Sequence, residues 1–173
     1  MDKKQSPEIW RDISGYEGEY QISTEGRVKS LKRQARCRNG YRTIQERILS
    51  PGRYSKSGHL SVILRKGSNG KPVHQLVAYT FLGAVPEGME VLHNNGNPQD
   101  NRLCNLRYGT RTENILDVYK QGKRWRKLSI EDVYNVRFFL LCGFSGNETG
   151  RQLGISAETI SKIKSRRSYA WLR

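Results

Sequence analysis

The spacing of apolar residues changes character along the chain. From Trp10 to about Lys56 apolar and polar residues alternate, with Tyr20 and Ile22 before the "STEG" turn, Val28 after it, and Gly15, Gly18 and Gly26 as punctuation. Period two bounded by glycines predicts short antiparallel strands. Residues 58–83 read as a hairpin running into a helix: a strand over Ser61–Arg65, the turn "KGSNGK", then "VHQLVAYTF" with Val73, Leu76, Val77 and Phe81 at helical spacing. Pro86 and Gly88 break the chain before the strand "MEVLH". The stretch "NNGNPQDN", holding Gly96 and Pro98, has to be a loop. "NLRYGT" is a second strand, and "TRTENILDVYKQGK" a helix capped near Thr110 or Thr112 and stopped near Gly122. Strand, loop, strand, helix is a ββα unit.

The last third is helical. "LSIEDVYNVRFFLLCG" opens at Ser129, with Glu131 and Asp132 at the positive end of the helix. "SGNETGRQLG" ends at Gly154, and "ISAETISKIKSRRS" opens at the N-cap candidate Ser156. Ile155, Ile160 and Ile163 form the buried side with Leu153, Val133, Val136 and Leu140. Gly150 sits where a small residue lets the helices cross closely. Two short helices joined by "LGIS" fit a helix-turn-helix. The expected class is α+β: a small N-terminal antiparallel β-module, a ββα core and a C-terminal all-α helix-turn-helix, in an extended multi-module chain.

Charge changes the picture from fold to partner. The chain of 173 residues carries 31 Lys and Arg against 16 Asp and Glu, a net +15. Between Arg27 and Lys56 there are ten basic residues against Glu46 alone. Such an excess favours a polyanion, because each phosphate neutralised releases condensed counterions. No apolar run of about 18 residues and no signal-peptide core are present, so a membrane is not the expected partner. Three cysteines, Cys37, Cys104 and Cys142, without a C-x-x-C pair, exclude a disulfide framework and a zinc ribbon. Double-stranded DNA is the expected partner. The backbone contacts expected in the N-terminal module are Arg27, Lys29, Lys32, Arg33, Arg36 and Arg38. In the helix-turn-helix, Ser156, Glu158, Thr159 and Ser161 face base edges, and Lys162, Lys164, Arg166 and Arg167 reach phosphates. An RNA-binding reading rests on charge and tyrosines alone, and a helix-turn-helix suits B-form grooves better.

The chemistry is expected in "VLHNNGNPQDNRLCNLRYGTRTEN", residues 91–114, which holds one histidine, six asparagines and few carboxylates. Phosphodiester hydrolysis needs a base for water and a cation for the scissile phosphate. A neutral imidazole such as His93 suits the first role, and oxygen ligands suit a hard cation. A ββα hairpin can bring His93 at a strand end and Asn114 on the following helix together.

That segment, with "PVHQLVAYTFLGAVPEGMEVLHNNGNPQDNRLCNLRYGTRTEN" read as a whole, resembles the HNH endonucleases, in particular the homing type encoded in phage and bacterial introns. "EIWRDISGYEGEYQISTEGRVKSL" resembles the β-module that often precedes such domains, and "GISAETISKIKSRRS" resembles resolvase-like and transposase-like helix-turn-helix segments. The resemblance implies a division into a basic β-rich DNA-contacting module (1–57), an HNH ββα-metal nuclease core (58–116), a basic linker (117–127) and a helix-turn-helix DNA-binding module (128–173). It implies His93 as the general base, Asn105 as the asparagine that ties the loop together and helps orient that base, Asn114 as a metal ligand, and His74 as structural. It implies a divalent cofactor, Mg²⁺ or Mn²⁺, and a site-specific DNA endonuclease of the homing type that nicks one strand. Such an enzyme would act as a monomer with no obligate protein partner, phage-encoded and cytoplasmic in a bacterial host.

One position departs from the pattern. Family members carry Asp, or sometimes Asn, immediately before the catalytic histidine as a second metal ligand; here Leu92 stands there, and leucine cannot coordinate a cation. The expectation is weakened cleavage, with the alternative that the chain is a nuclease-degenerate, sequence-specific DNA-binding regulator.

Overall fold

A computed structural model describes residues 7–38, 40–53, 58–65, 67–123 and 127–172. The fold is mixed α and β with antiparallel strands, as expected. It divides into two compact units, residues 1–110 and 111–173. The expected boundary at residue 57, and residues 124–126 of the basic linker, lie outside the described residues.

In the first unit, β1 (Trp10–Asp12), β2 (Tyr20–Ser23), β3 (Val28–Ser30) and β6 (Arg47–Ile48) form a four-stranded antiparallel sheet in the order β1-β2-β3-β6. The "STEG" turn joins β2 to β3 in the register Ile22↔Val28, which aligns the two buried apolar positions that the alternation marked. Between β3 and β6 the chain leaves the sheet as a two-stranded ribbon, β4 (Arg33–Cys37) paired with β5 (Gly40–Ile44). A three-stranded sheet follows, with β7 (Gly52–Arg53), β8 (Leu60–Val62) and β9 (Lys71–Pro72), and Pro72 leads directly into α1 (Val73–Phe81). The strand expected over Ser61–Arg65 is thus shorter and begins one residue earlier. Leu64 leaves the ladder but is buried at 1% exposure, so packing and not pairing fixes that segment.

The hairpin β10 (Met89–His93) and β11 (Leu106–Thr110) completes the unit. A single core unites residues on both sides of residue 57: Ile13, Tyr20, Ile22 and Val28 with Val62, Leu64, Val73, Val77 and Leu106. The β-sheet and the hairpin are therefore held against the same helix, α1. Burying a side chain of that size contributes about 1.5–3 kcal/mol, so neither half retains its core without the other.

The second unit begins with α2 (Arg111–Lys120), followed by α3 (Ile130–Leu141), α4 (Gly146–Leu153) and α5 (Ala157–Lys164). Ser129 caps α3 in a reciprocal box with Asp132, and Ser145 caps α4 in the same way with Glu148. Each box satisfies orphan amides at a helix start. Gly154 ends α4 with φ +64°, the left-handed conformation that favours glycine there, and Ser156 caps α5 two residues later. Val133, Val136, Ile160 and Ile163 form the core, as the periodicity predicts, joined by Tyr169 and Leu172 from beyond the last helix. Gly150 is confined by the turn that follows its own helix and not by a helix crossing: a Cβ there would lie 2.6 Å from the Ile155 carbonyl oxygen, between α4 and α5. Among the described residues no helix is long and apolar enough to cross a membrane.

Candidate active site

The loop between β10 and β11 is built by its asparagines. His93, the last residue of β10, pairs across the hairpin with Leu106, the first residue of β11. From there the chain must close a twelve-residue loop, residues 94–105. Asn94 N–H donates to the Asn105 carbonyl at 2.8 Å. Asn95 N–H donates to Asn105 Oδ1, while Asn105 Nδ2 donates to Asn95 Oδ1, both at 3.0 Å, and to the Asp100 carbonyl at 2.8 Å. Asn95 Oδ1 also accepts from Asn97 N–H, and Asn97 Oδ1 accepts from Gln99 N–H. Short amide side chains can stand in for backbone groups in this way, which explains why the loop is rich in asparagine. Asp100 accepts two bonds from Arg102, each 2.7 Å, and one from Asn95. The Arg102 guanidinium, helped by the Asn95 amide, holds its carboxyl down to about 2.

His93 projects into a group that no single sequence window displays. Its ring centroid is 5.5 Å from that of His59 and 5.2 Å from that of His74, and those two are 4.6 Å apart. These are the three histidines of the chain. His74, on α1, is buried, and its Nδ1 has no hydrogen-bond partner. Burial, with the neighbouring imidazoles as smaller contributors, pushes its pKa down to about 3. Burial lowers His59 as well. For His93, burial lowers the pKa and outweighs the opposing bond to Asn101. All three shifts favour neutral rings at pH 7, the state in which an imidazole can accept a proton.

The hydrogen bond to the His93 ring comes from Asn101, a residue the sequence reading did not single out: His93 Nε2 and Asn101 Oδ1 are 3.2 Å apart. Asn101 is buried at 5% exposure. Asn105, expected to tie the loop together and help orient His93, spends its side chain on Asn95 and Asp100 within that loop. No local pattern announces His59, which reaches the ring through tertiary packing; Asn101 reaches it from within the same loop, eight residues on.

Leu92 precedes His93 in β10, and strand alternation turns neighbours to opposite faces. It is buried at 4% exposure. Among the described residues no group of three or more His, Cys, Asp or Glu side chains converges on a point that could hold a metal. The loop oxygens of Asn95, Asn97, Asn105 and Asp100 are already engaged with the loop itself. Few oxygen donors of the loop are left over for a cation. Mg²⁺ keeps several waters and takes few protein ligands beside substrate phosphates, so a single oxygen donor of the chain can serve it. Asn114, the expected ligand, lies on α2 in the second unit.

The basic candidates fall into two groups. Arg27 forms an ion pair with Glu8 and lies 5.7 Å over the Trp10 ring, and Lys29 lies 4.3 Å over the same ring and 3.7 Å from Glu46. Arg33 donates to the Glu19 and Leu31 carbonyls, Ser30 Oγ and Tyr20 Oη. Lys29 and Arg33 are half-buried in these contacts, whereas Arg27 stays exposed despite its ion pair. Lys32, Arg36 and Arg38 are exposed at the β4–β5 ribbon, with Arg42 and Tyr41, which pairs with Arg36. In the second unit Ser156, Glu158, Ser161, Lys162, Lys164, Arg166 and Arg167 are exposed and Thr159 half-buried. Ser156 Oγ contacts Thr159 Oγ1 at 2.9 Å, and Glu158 pairs with Lys162 one turn on.

Comparison with known proteins matches two consecutive segments, the second of which runs from the first unit into the start of α2. A NUMOD4 motif matches residues 8–65, and an HNH endonuclease domain matches residues 71–116. The chain is 36% identical over 115 residues to DNA endonuclease I-HmuI of Bacillus phage SP01, covering 65% of this chain and 59% of that one. It is 31% identical over 113 residues to Protein 7.7 of Escherichia phage T7, covering 61% of this chain and 85% of that one. A solved structure titled "DNA binding and cleavage by the HNH homing endonuclease I-HmuI" superposes with a TM-score of 0.51 at 26% identity, over 89% of this chain and 88% of the other. With a histidine closing a β-strand, an asparagine-latched loop and a second strand at the matched positions, the chain belongs to the HNH endonuclease family and carries a NUMOD4 motif ahead of its HNH segment.

Proposed function

We propose that this protein is a metal-dependent, site-specific DNA endonuclease of the homing type that nicks one strand. The observation that carries the reading is the half-buried His93 ring at the end of β10, beside the loop that Asn105 closes, within the HNH segment. His93 takes the proton from the attacking water, so that the hydroxide formed displaces the 3′-oxygen from the phosphorus. Asn105 keeps the loop, and so the strand end that bears His93, in one conformation. Asn114 is the chain's own ligand for a divalent cation, with the remaining positions falling to water and DNA phosphate. When bound, Mg²⁺ or Mn²⁺ supplies charge stabilisation at the phosphate and the leaving oxygen. Residues 1–57 and 128–173 supply DNA contacts, through the exposed ribbon arginines and through α5, and 58–116 supply the chemistry. The protein acts as a monomer in the cytoplasm of a bacterial host.

The test is supercoiled plasmid carrying the DNA around this reading frame, incubated with pure protein and Mg²⁺ or Mn²⁺, beside His93→Ala. Metal-dependent relaxed product, absent with His93→Ala, supports the reading; linear product corrects nicking to double-strand cleavage. Plasmid that is bound but intact favours the second reading, a DNA-binding regulator, for which the buried Leu92 at the expected ligand position speaks.

A further inference from the structure

His93 has two ring nitrogens, and its surroundings distinguish them. Asn101 Nδ2 faces the Gln99 carbonyl at 3.4 Å. A carbonyl only accepts, so the amide is oriented with Oδ1 toward His93 Nε2. Oδ1 also only accepts. Nε2 therefore carries the proton in the neutral ring, and Nδ1 keeps the lone pair.

Asn101 is held in turn from the N-terminal module. Gly26, at φ +77° in the turn between β2 and β3, lies so close that a Cβ there would sit 2.9 Å from both Cβ and the carbonyl oxygen of Asn101. The turn is rigid: Ser23, fully buried, accepts on Oγ from the amides of Glu25 and Arg27, and its own amide donates to the Arg27 carbonyl. A second tie lies beside it, where Leu103 N–H donates to the Thr24 carbonyl at 2.8 Å. Residues 75 positions apart in sequence thus meet behind the catalytic ring.

We propose that Asn101 is a positioning residue that fixes the tautomer and orientation of His93, and that the Ser23–Arg27 turn, through Gly26, fixes Asn101. The N-terminal module is on this view part of the catalytic apparatus as well as a DNA contact. The role in hydrolysis rests on the nuclease reading; the role in fixing the ring does not.

The experiment therefore has two readouts on the full chain. Imidazole ¹⁵N shifts, assigned by replacing each of the three histidines in turn, report the tautomer of His93 without any turnover. Single-turnover nicking at saturating protein, with DNA affinity measured separately, reports the chemical step. Wild type is expected to show Nε2–H for His93 at a pH above its titration. Asn101→Leu is expected to lose that preference and to cut on the order of 100-fold more slowly, as misplacement of a reacting group does, with DNA affinity unchanged. Asn101→Asp keeps an oxygen acceptor and is expected to restore the tautomer. Gly26→Ala, checked for intact fold by circular dichroism, is expected to reproduce the Asn101→Leu signature. An Nδ1–H tautomer in wild type, or Asn101→Leu with an unchanged His93 spectrum, overturns the role of Asn101. A Gly26→Ala protein with wild-type spectrum and rate overturns the relay. Should wild type not cut at all, the nuclease reading fails alone, and the spectra still decide the positioning.

Discussion

At the scale of single residues, Leu92 sets a conflict between activity and stability. It is buried at 4% exposure next to the proposed base. Leu92→Asp would supply the oxygen ligand the position lacks but places a carboxylate where a leucine packs, and an unpaired buried charge is costly. The expected outcome is faster nicking at limiting Mg²⁺ together with a lower melting temperature that Mg²⁺ partly restores. Unchanged cleavage by a folded Leu92→Asp protein would show that ligand loss does not limit the rate. His74 makes a separate prediction. Its pKa falls from 6.5 to about 3 on folding, chiefly through burial. Between those values the unfolded chain binds more protons than the folded one, so stability falls as pH falls from about 6.5 toward 3. Going from about pH 7.5 to 5.5, this group alone costs about 1 kcal/mol. Urea midpoints at the two pH values check it: the acid loss should shrink by that amount in His74→Met, and an equal loss in both proteins would place its source elsewhere.

At the scale of elements, what was legible in the sequence was whatever is settled locally. Helix α3 was readable because Ser129 and Asp132 satisfy its first amides within four residues, and α5 because Ser156 does the same. The β2–β3 hairpin was readable because Tyr20, Ile22 and Val28 alternate around a tight turn. The strand expected over Ser61–Arg65 came out shorter because Leu64 is placed by the core it enters and not by a ladder partner. Gly150 shows that the need for a small residue could be foreseen although its reason could not, since the carbonyl that leaves no room for a side chain belongs to the α4–α5 turn and not to a crossing helix. Gly150→Ala is expected to destabilise the second unit by about 1–3 kcal/mol, the usual cost of forcing atoms into a packed contact. Hydrogen exchange checks it: amides of 130–164 should lose protection while those of the β2–β3 hairpin keep theirs. Loss in both regions would mean the two units do not open independently.

At the scale of the whole molecule, net charge is a poor guide to which cations meet DNA. The +15 total and the basic run from Arg27 pointed to a polyanion, but the run does two jobs that sequence cannot separate. Arg33 ties Tyr20, Ser30 and two carbonyls together and Arg27 meets Glu8, partners 2 to 19 residues away that no charge count reveals. The clustering of the histidines was hidden for the same reason, since His59, His74 and His93 come from a loop, a helix and a strand. The two kinds of arginine should separate experimentally. Each phosphate contact contributes roughly 0.9 to the slope of log affinity against log salt. Replacing Arg36, Arg38 and Arg42 together by alanine should therefore flatten that slope by about 2–3 and leave the melting temperature near wild type. Arg33→Ala should do the opposite, lowering the melting temperature while the slope of the folded protein stays the same. An unchanged slope in the triple variant would remove the ribbon from the DNA interface, and the proposed contacts would then have to come from the helices of the second unit.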